Sequence, residues 1–139
     1  MDSYRFLNEE MIQEEIIHKG IQTKKVIDAF LNTPRHHFVP KTYRDYAYEG
    51  QPLPIGDGQT ISAPYIVALM TDALDLHKDD HVLEIGTGCG YQSAILSHLA
   101  KHVHTIERIE YLQKKAIKTL KSLDIDNISF HVGNGIKGL

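Results

Sequence analysis

The sequence predicts an α/β fold built on a parallel sheet. Short apolar runs occur at 81–85, 103–106 and 127–132, and helical periodicity fills 91–100 and 109–123 between them. Glycines crowd the first strand-to-helix junction. Strand–helix–strand–helix–strand in this order implies parallel pairing with right-handed crossovers. Residues 76–139 form this βαβαβ half, and residues 1–75 form a helical and loop layer packed on it, within one structural domain.

The elements follow from local chemistry. A helix over 3–19 carries Phe6/Leu7, Met11/Ile12 and Ile16/Ile17 at near-helical spacing, with Ser3 as cap and Gly20 as terminator. A second helix spans 23–32, capped by Thr23, with Val26, Ile27, Phe30 and Leu31 on one side, and Pro34 stops it. Residues 33–63 hold Pro34, Pro40, Pro52 and Pro54 and read as a long irregular segment with one helical turn near 41–46. A segment of this kind inside a compact domain is usually functional. A third helix runs from Pro64 to Leu74, with proline in its first turn. Strands follow at His81–Ile85, Val103–Ile106 and 127–132, and a helix over 109–123 puts Leu112, Ala116, Leu120 and Leu123 on one stripe.

Composition excludes several classes. Fifteen basic against 18 acidic residues leave a formal charge of -3. Nucleic acid held by bulk electrostatics is therefore not expected. No apolar run approaches the ~20 residues of a membrane helix, and no secretory pattern opens the chain. The one cysteine, Cys89, suits a reducing compartment, so a cytoplasmic protein is expected.

The strongest signal is Glu84-Ile85-Gly86-Thr87-Gly88-Cys89-Gly90, between a strand and a helix. Glycines permit the sharp turn and a close ligand approach, and the helix start favours an anionic group. A dinucleotide fingerprint needs its third glycine one residue later, where Tyr91 stands, and no Gly-Lys-Ser/Thr of a P-loop is present. The acid-x-Gly-x-Gly-x-Gly pattern resembles the first motif of S-adenosylmethionine-dependent methyltransferases. In that resemblance Gly86, Thr87, Gly88 and Gly90 lie against the methionine end of the ligand. Glu84 either contacts the ligand or is a structural acid bonded to loop amides. Glu107, at the end of the second strand, stands close to the ~20-residue offset at which a carboxylate accepts both ribose hydroxyls.

More specific segments follow. Pro34-Arg35-His36-His37-Phe38-Val39-Pro40 is similar to the Pro-Arg-x-x-Phe-Val-Pro of the protein-L-isoaspartate O-methyltransferase family. The stretch from Leu53 to Tyr65 is similar to its substrate loop, and Val82–Gln92 and Ile106-Glu107-Arg108 match its cofactor segments. The resemblance covers essentially the whole chain. It implies a Rossmann-like methyltransferase fold, of which only the first three strands are present, with an N-terminal helical layer. It implies methyl transfer from S-adenosylmethionine to the free α-carboxylate of L-isoaspartyl, and D-aspartyl, residues in damaged proteins, the ester then collapsing to a succinimide. A carboxylate is ionised at neutral pH, so no strong base is required. Positioning alone can supply ~7–11 kcal/mol. By the same resemblance Thr60 and Ser62 orient the substrate, while Ser62 also suits the cap of the helix that follows. Asn134, with Gly135, replaces the aspartate that would bind the adenine amino group, and an uncharged acceptor makes the weaker bond.

In the resemblance the family continues beyond position 139, so this chain is expected to be a C-terminally shortened form or to pair its edge with another copy. Without the next strand, Val82, Leu83 and Ile85 sit on an open apolar edge, an invitation to self-association. Two other readings are a methyltransferase for a small molecule or RNA, and a cofactor-binding fragment without activity. His36-His37 and His102/His104 lack the spacing of a metal quartet. Cys89 reads as a loop filler, and Tyr43, Tyr46 and Tyr48 as packing under the long loop.

Overall fold

The computed structural model describes residues 3–137 and divides the chain into two compact units, 1–76 and 77–139.

In the first unit, α1 (Ser3–Ile12) buries Asn8, Met11 and Ile12 and passes into a π-helical turn at Gln13–Ile17. A long-register bond from His18 N–H to Gln13 O at 3.0 Å marks the change, and the bond from Ile21 N–H to Ile16 O at 3.1 Å closes the end around Gly20. The single long helix expected over 3–19 is therefore α-helical only in its first part. Gly20, at φ +104°, ends it as expected. Helix α2 (Lys24–Leu31) buries Val26, Ala29 and Phe30. Thr23 occupies its N-cap, but the hydroxyl donates to Asp72 Oδ1 at 2.6 Å and so ties helices together rather than capping one.

The segment expected to be irregular is more ordered than proline content suggested. Short 3₁₀ turns form at Arg35–Phe38 and Lys41–Tyr46. Strands β1 (Leu53–Gly56) and β2 (Gln59–Ile61) pair antiparallel through three consecutive left-handed residues, Gly56, Asp57 and Gly58. Pro54 is tolerated because this ribbon is only two strands wide. Helix α3 (Pro64–Leu74) starts at proline as expected, with Ala63 as N-cap and no side-chain cap bond, so Ser62 does not cap it.

In the second unit, β3 (His81–Ile85), β4 (His102–Glu107) and β5 (Ile128–Val132) form a parallel sheet in the order β3-β4-β5. Helices α4 (Tyr91–Ser97) and α5 (Glu110–Ser122) supply the crossovers. The central strand buries Val103 and Thr105 completely and Glu107 nearly so. Leu112, Ala116 and Leu120 form the buried stripe of α5. Among the described residues β3 pairs on one side only, and Leu83 and Ile85 are 46% and 63% exposed.

Leu120→Ala removes a fully buried side chain and is expected to destabilise the second unit by ~2–5 kcal/mol, measured by urea denaturation.

Candidate functional site

The carboxyl ends of three parallel strands bring the predicted cofactor residues together in the second unit. Gly86, Gly88 and Gly90 all have positive φ, at 94°, 55° and 92°, which is why glycine recurs at alternate positions. The loop is tied from below. Gly86 and Thr87 donate their amides to Ile106 O at 2.7 and 3.2 Å, and Gly88 donates to Glu107 Oε1 at 2.9 Å. The other oxygen, Oε2, accepts from Ile109 N–H at 2.9 Å. Each carboxylate oxygen keeps a further lone pair for a ligand hydroxyl.

The glycines differ in what surrounds them. A Cβ at Gly90 would lie 3.2 Å from Ala116 and Leu120, so that glycine admits α5. A Cβ at Gly86 would meet nothing within 4 Å, so the loop there borders open space. Gly135 sits against β3, where a Cβ would collide with Ile85 Cγ2 at 2.2 Å. Gly133 N–H donates to Glu107 O at 2.9 Å and joins the ends of β4 and β5. Asn134 Oδ1 accepts from Ile136 N–H at 2.9 Å, a local turn that occupies one lone pair of its amide oxygen.

Beneath the loop runs a hydroxyl network that was not anticipated. Glu84 Oε1 accepts from Thr105 Oγ1 at 2.7 Å and, very closely, from Ser93 Oγ. Thr105 spends its hydrogen on Glu84, so Thr87 is the donor in the 2.7 Å bond between the two threonines. Glu84 thus links β3, α4 and β4 through hydroxyls rather than through the loop amides considered from sequence. Thr87 turns its side chain inward and is buried. Burial pushes the Glu84 carboxyl up to about 7; the two hydroxyls act against this and the nearby Glu107 charge adds to it.

His102 and His104 share a sheet face with His81 and His131, with ring separations of 4.8 to 6.4 Å. His102 Nε2 meets Ser129 Oγ at 2.7 Å, and His104 Nδ1 meets His131 Nε2 at 3.3 Å. Partial burial, then the neighbouring imidazoles, hold His104 below the usual histidine range. Among the described residues no group of three or more side chains has a metal-holding arrangement.

Thr60 and Ser62 are exposed and belong to the first unit, Thr60 within β2 and Ser62 just after it. The residue that holds this segment is Arg35, which the sequence offered only as part of a motif. Its guanidinium is fully buried; Nε donates to Ala47 O at 2.7 Å and Nη2 to Ser62 O at 2.9 Å. A planar fork suits two fixed carbonyls in a way an ammonium does not. Of the three tyrosines expected to pack, Tyr48 is buried, Tyr43 partly so, and Tyr46 is 49% exposed.

Glu84 sets a pH dependence. Its folded pKa lies above that of an unfolded glutamate, so the folded chain binds more protons between about pH 4.3 and the folded value. Its contribution to stability is present below that window and is lost as pH rises through about 7. Denaturation of the parent and of Glu84→Gln at pH 5 and pH 8 isolates the effect. The parent is expected to lose up to about 3 kcal/mol relative to the variant over that interval, at ~1.36 kcal/mol per pKa unit.

The family profile described as protein-L-isoaspartate(D-aspartate) O-methyltransferase matches residues 6–139. A protein-L-isoaspartate O-methyltransferase of Dictyoglomus turgidum is 55% identical over 135 residues, covering 97% of this chain and 61% of that one. A solved protein-L-isoaspartate O-methyltransferase superposes with TM-score 0.80 at 30% identity, over 95% of this chain and 42% of that one. A Plasmodium falciparum structure of the same description, in complex with S-adenosyl-L-homocysteine, gives TM-score 0.76 at 22% identity, covering 99% of this chain and 66% of that one, a likeness of fold. The chain spans less than two thirds of the length of the D. turgidum relative. With a parallel sheet, a glycine loop tied to Glu107 and a family match over nearly every residue, this chain belongs to the protein-L-isoaspartate(D-aspartate) O-methyltransferase family.

Proposed function

We propose that this chain carries the cofactor and substrate-loop portion of an S-adenosylmethionine-dependent carboxyl methyltransferase. Its substrate is the free α-carboxylate of L-isoaspartyl, and D-aspartyl, residues in damaged proteins, and methylation opens repair through a succinimide. In this reading residues 76–139 hold the cofactor and residues 1–75 present the substrate loop. The observation that carries it is the 2.9 Å bond from Gly88 N–H to Glu107, which sets the glycine loop beside a carboxylate with spare lone pairs.

The residues present suit the cofactor. Gly86 borders open space where any side chain would intrude, and Glu107 has acceptor capacity for two ribose hydroxyls. Glu84 and Thr87 support the loop from beneath, Gly90 admits the helix behind it, and Asn134 with Gly135 lines the adenine side. When bound, S-adenosylmethionine supplies a methyl group on a positively charged sulfur. The chain itself orients the acceptor: the exposed hydroxyls of Thr60 and Ser62 donate to the substrate carboxylate, which needs no deprotonation at neutral pH. Arg35 keeps the Ser62 main chain in place. The open edge of β3, with Leu83 and Ile85 exposed, supports self-association, and the single cysteine supports a reducing, cytoplasmic setting.

Calorimetric titration with S-adenosylhomocysteine is expected to show binding, weakened roughly 10- to 100-fold in Glu107→Gln by loss of ~1.5–3 kcal/mol of charge-assisted hydrogen bonding. Labelled methyl is expected on an isoaspartyl peptide and not on its aspartyl twin, and Ser62→Ala is expected to lower that labelling at least tenfold. Equal labelling of both peptides overturns the substrate assignment. Binding without turnover assigns this length of chain to cofactor binding alone.

A further inference from the structure

We propose that a cleft in the first unit binds the main chain of the polypeptide flanking the isoaspartyl residue, an inference that rests on the reading above and adds how the substrate is held. The cleft has a volume of about 600 Å³ and lies between α1 and the turns that follow α2. Tyr4, Asn8, Asn32, Pro34, His36 and Tyr48 line it.

Its chemistry selects a neutral chain of amides. Arg5 and Glu9, also at the cleft, pair with each other at 3.4 Å, so the pair offers no net charge to a phosphate or a cation. The remaining polar groups are the uncharged Tyr4, Asn8, Asn32 and Tyr48 together with the His36 imidazole. Asn8 supplies the pointed observation: it is only 5% exposed, its Nδ2 donates to Phe30 O at 3.0 Å, and its Oδ1 is buried without a hydrogen-bond partner. An orphaned buried acceptor is costly, and a donor such as a main-chain N–H relieves it. Tyr48 and His36 are held ready by their own bond, Oη to Nδ1 at 2.8 Å, with Tyr4 stacked on the His36 ring at 3.8 Å.

The cleft is coupled to the substrate loop through two adjacent bridges. His36 joins Tyr48, and one residue back in each segment Arg35 joins Ala47. The other arm of Arg35 reaches Ser62 O. Ser62 is therefore one arginine side chain away from the wall of the cleft, a distance a few residues of extended chain cover at about 3.3 Å each.

The test compares two synthetic ligands on the full chain saturated with S-adenosylhomocysteine: a blocked isoaspartyl-glycine unit, and a nine-residue peptide with isoaspartate at its centre. The nonapeptide is expected to bind at least tenfold more tightly by calorimetry, and to shift the backbone amide resonances of Asn8, Asn32 and His36. In Asn8→Leu and Tyr48→Phe its affinity is expected to fall towards that of the short unit. Equal affinities for the two ligands overturn the inference and leave the isoaspartyl reading standing. Tighter nonapeptide binding that both variants retain places the flanking chain elsewhere and also overturns it. Failure of both ligands to bind sinks the isoaspartyl reading and this inference with it. Tyr48→Phe removes one hydroxyl and keeps the ring, so it decides the matter if Asn8→Leu does not fold.

Discussion

The glycine loop has its shape because two acids at the ends of neighbouring strands grip it from different sides. Glu107 takes the Gly88 amide directly, and Glu84 gathers the hydroxyls of Ser93 and Thr105, which in turn receives the hydroxyl of Thr87. A turn with three left-handed glycines has high conformational entropy when unfolded, so it stays open only if something outside it fixes the backbone. Here the fixing groups come from β3, α4 and β4, so the loop exists only once the sheet is assembled. A buried carboxylate is unfavourable in itself, and the raised pKa of Glu84 records that tension. The network that offsets it also makes the strand ends rigid, the condition for a preformed site.

The first unit solves a similar problem with one cation. Its chain between 33 and 63 crosses four prolines and several glycines, and its regular hydrogen bonding is confined to two short 3₁₀ turns and the β1–β2 ribbon. Arg35 answers two carbonyls far apart in sequence, on Ala47 and Ser62, from a fully buried position. The short β1–β2 ribbon and the start of α3 at Pro64 then flank the Ser62 carbonyl. Thr60 and Ser62 remain exposed because their neighbours Leu53, Ile55 and Ile61 take the buried places in the ribbon.

Regular elements were legible where one residue pattern had one solution. The stretch His81–Ile85 is a strand, Pro64–Leu74 is a helix, and Leu112, Ala116 and Leu120 are core, as periodicity implied. The β1–β2 ribbon was missed because Pro54 and the Gly-Asp-Gly turn mask a strand as short as Gln59–Ile61. The π-helical turn after Ile12 was missed because apolar spacing there tolerates an extra residue per turn. Thr23 has the composition of a cap, yet its hydroxyl accepts no bond from the first turn of α2 and instead donates to Asp72 of α3.

The sequence by itself determined the parallel βαβαβ order, the glycine turn with its acid one unit later, and the family to which these belong, because each is a local pattern of residue types and spacings. Tertiary structure alone decided what the acids do. Glu84 faces hydroxyls rather than loop amides, Gly135 is required by Ile85, and Arg35 reaches Ser62. Those facts depend on which groups meet across long sequence separations, and a hydrogen bond between distant residues leaves no periodicity in the chain to read.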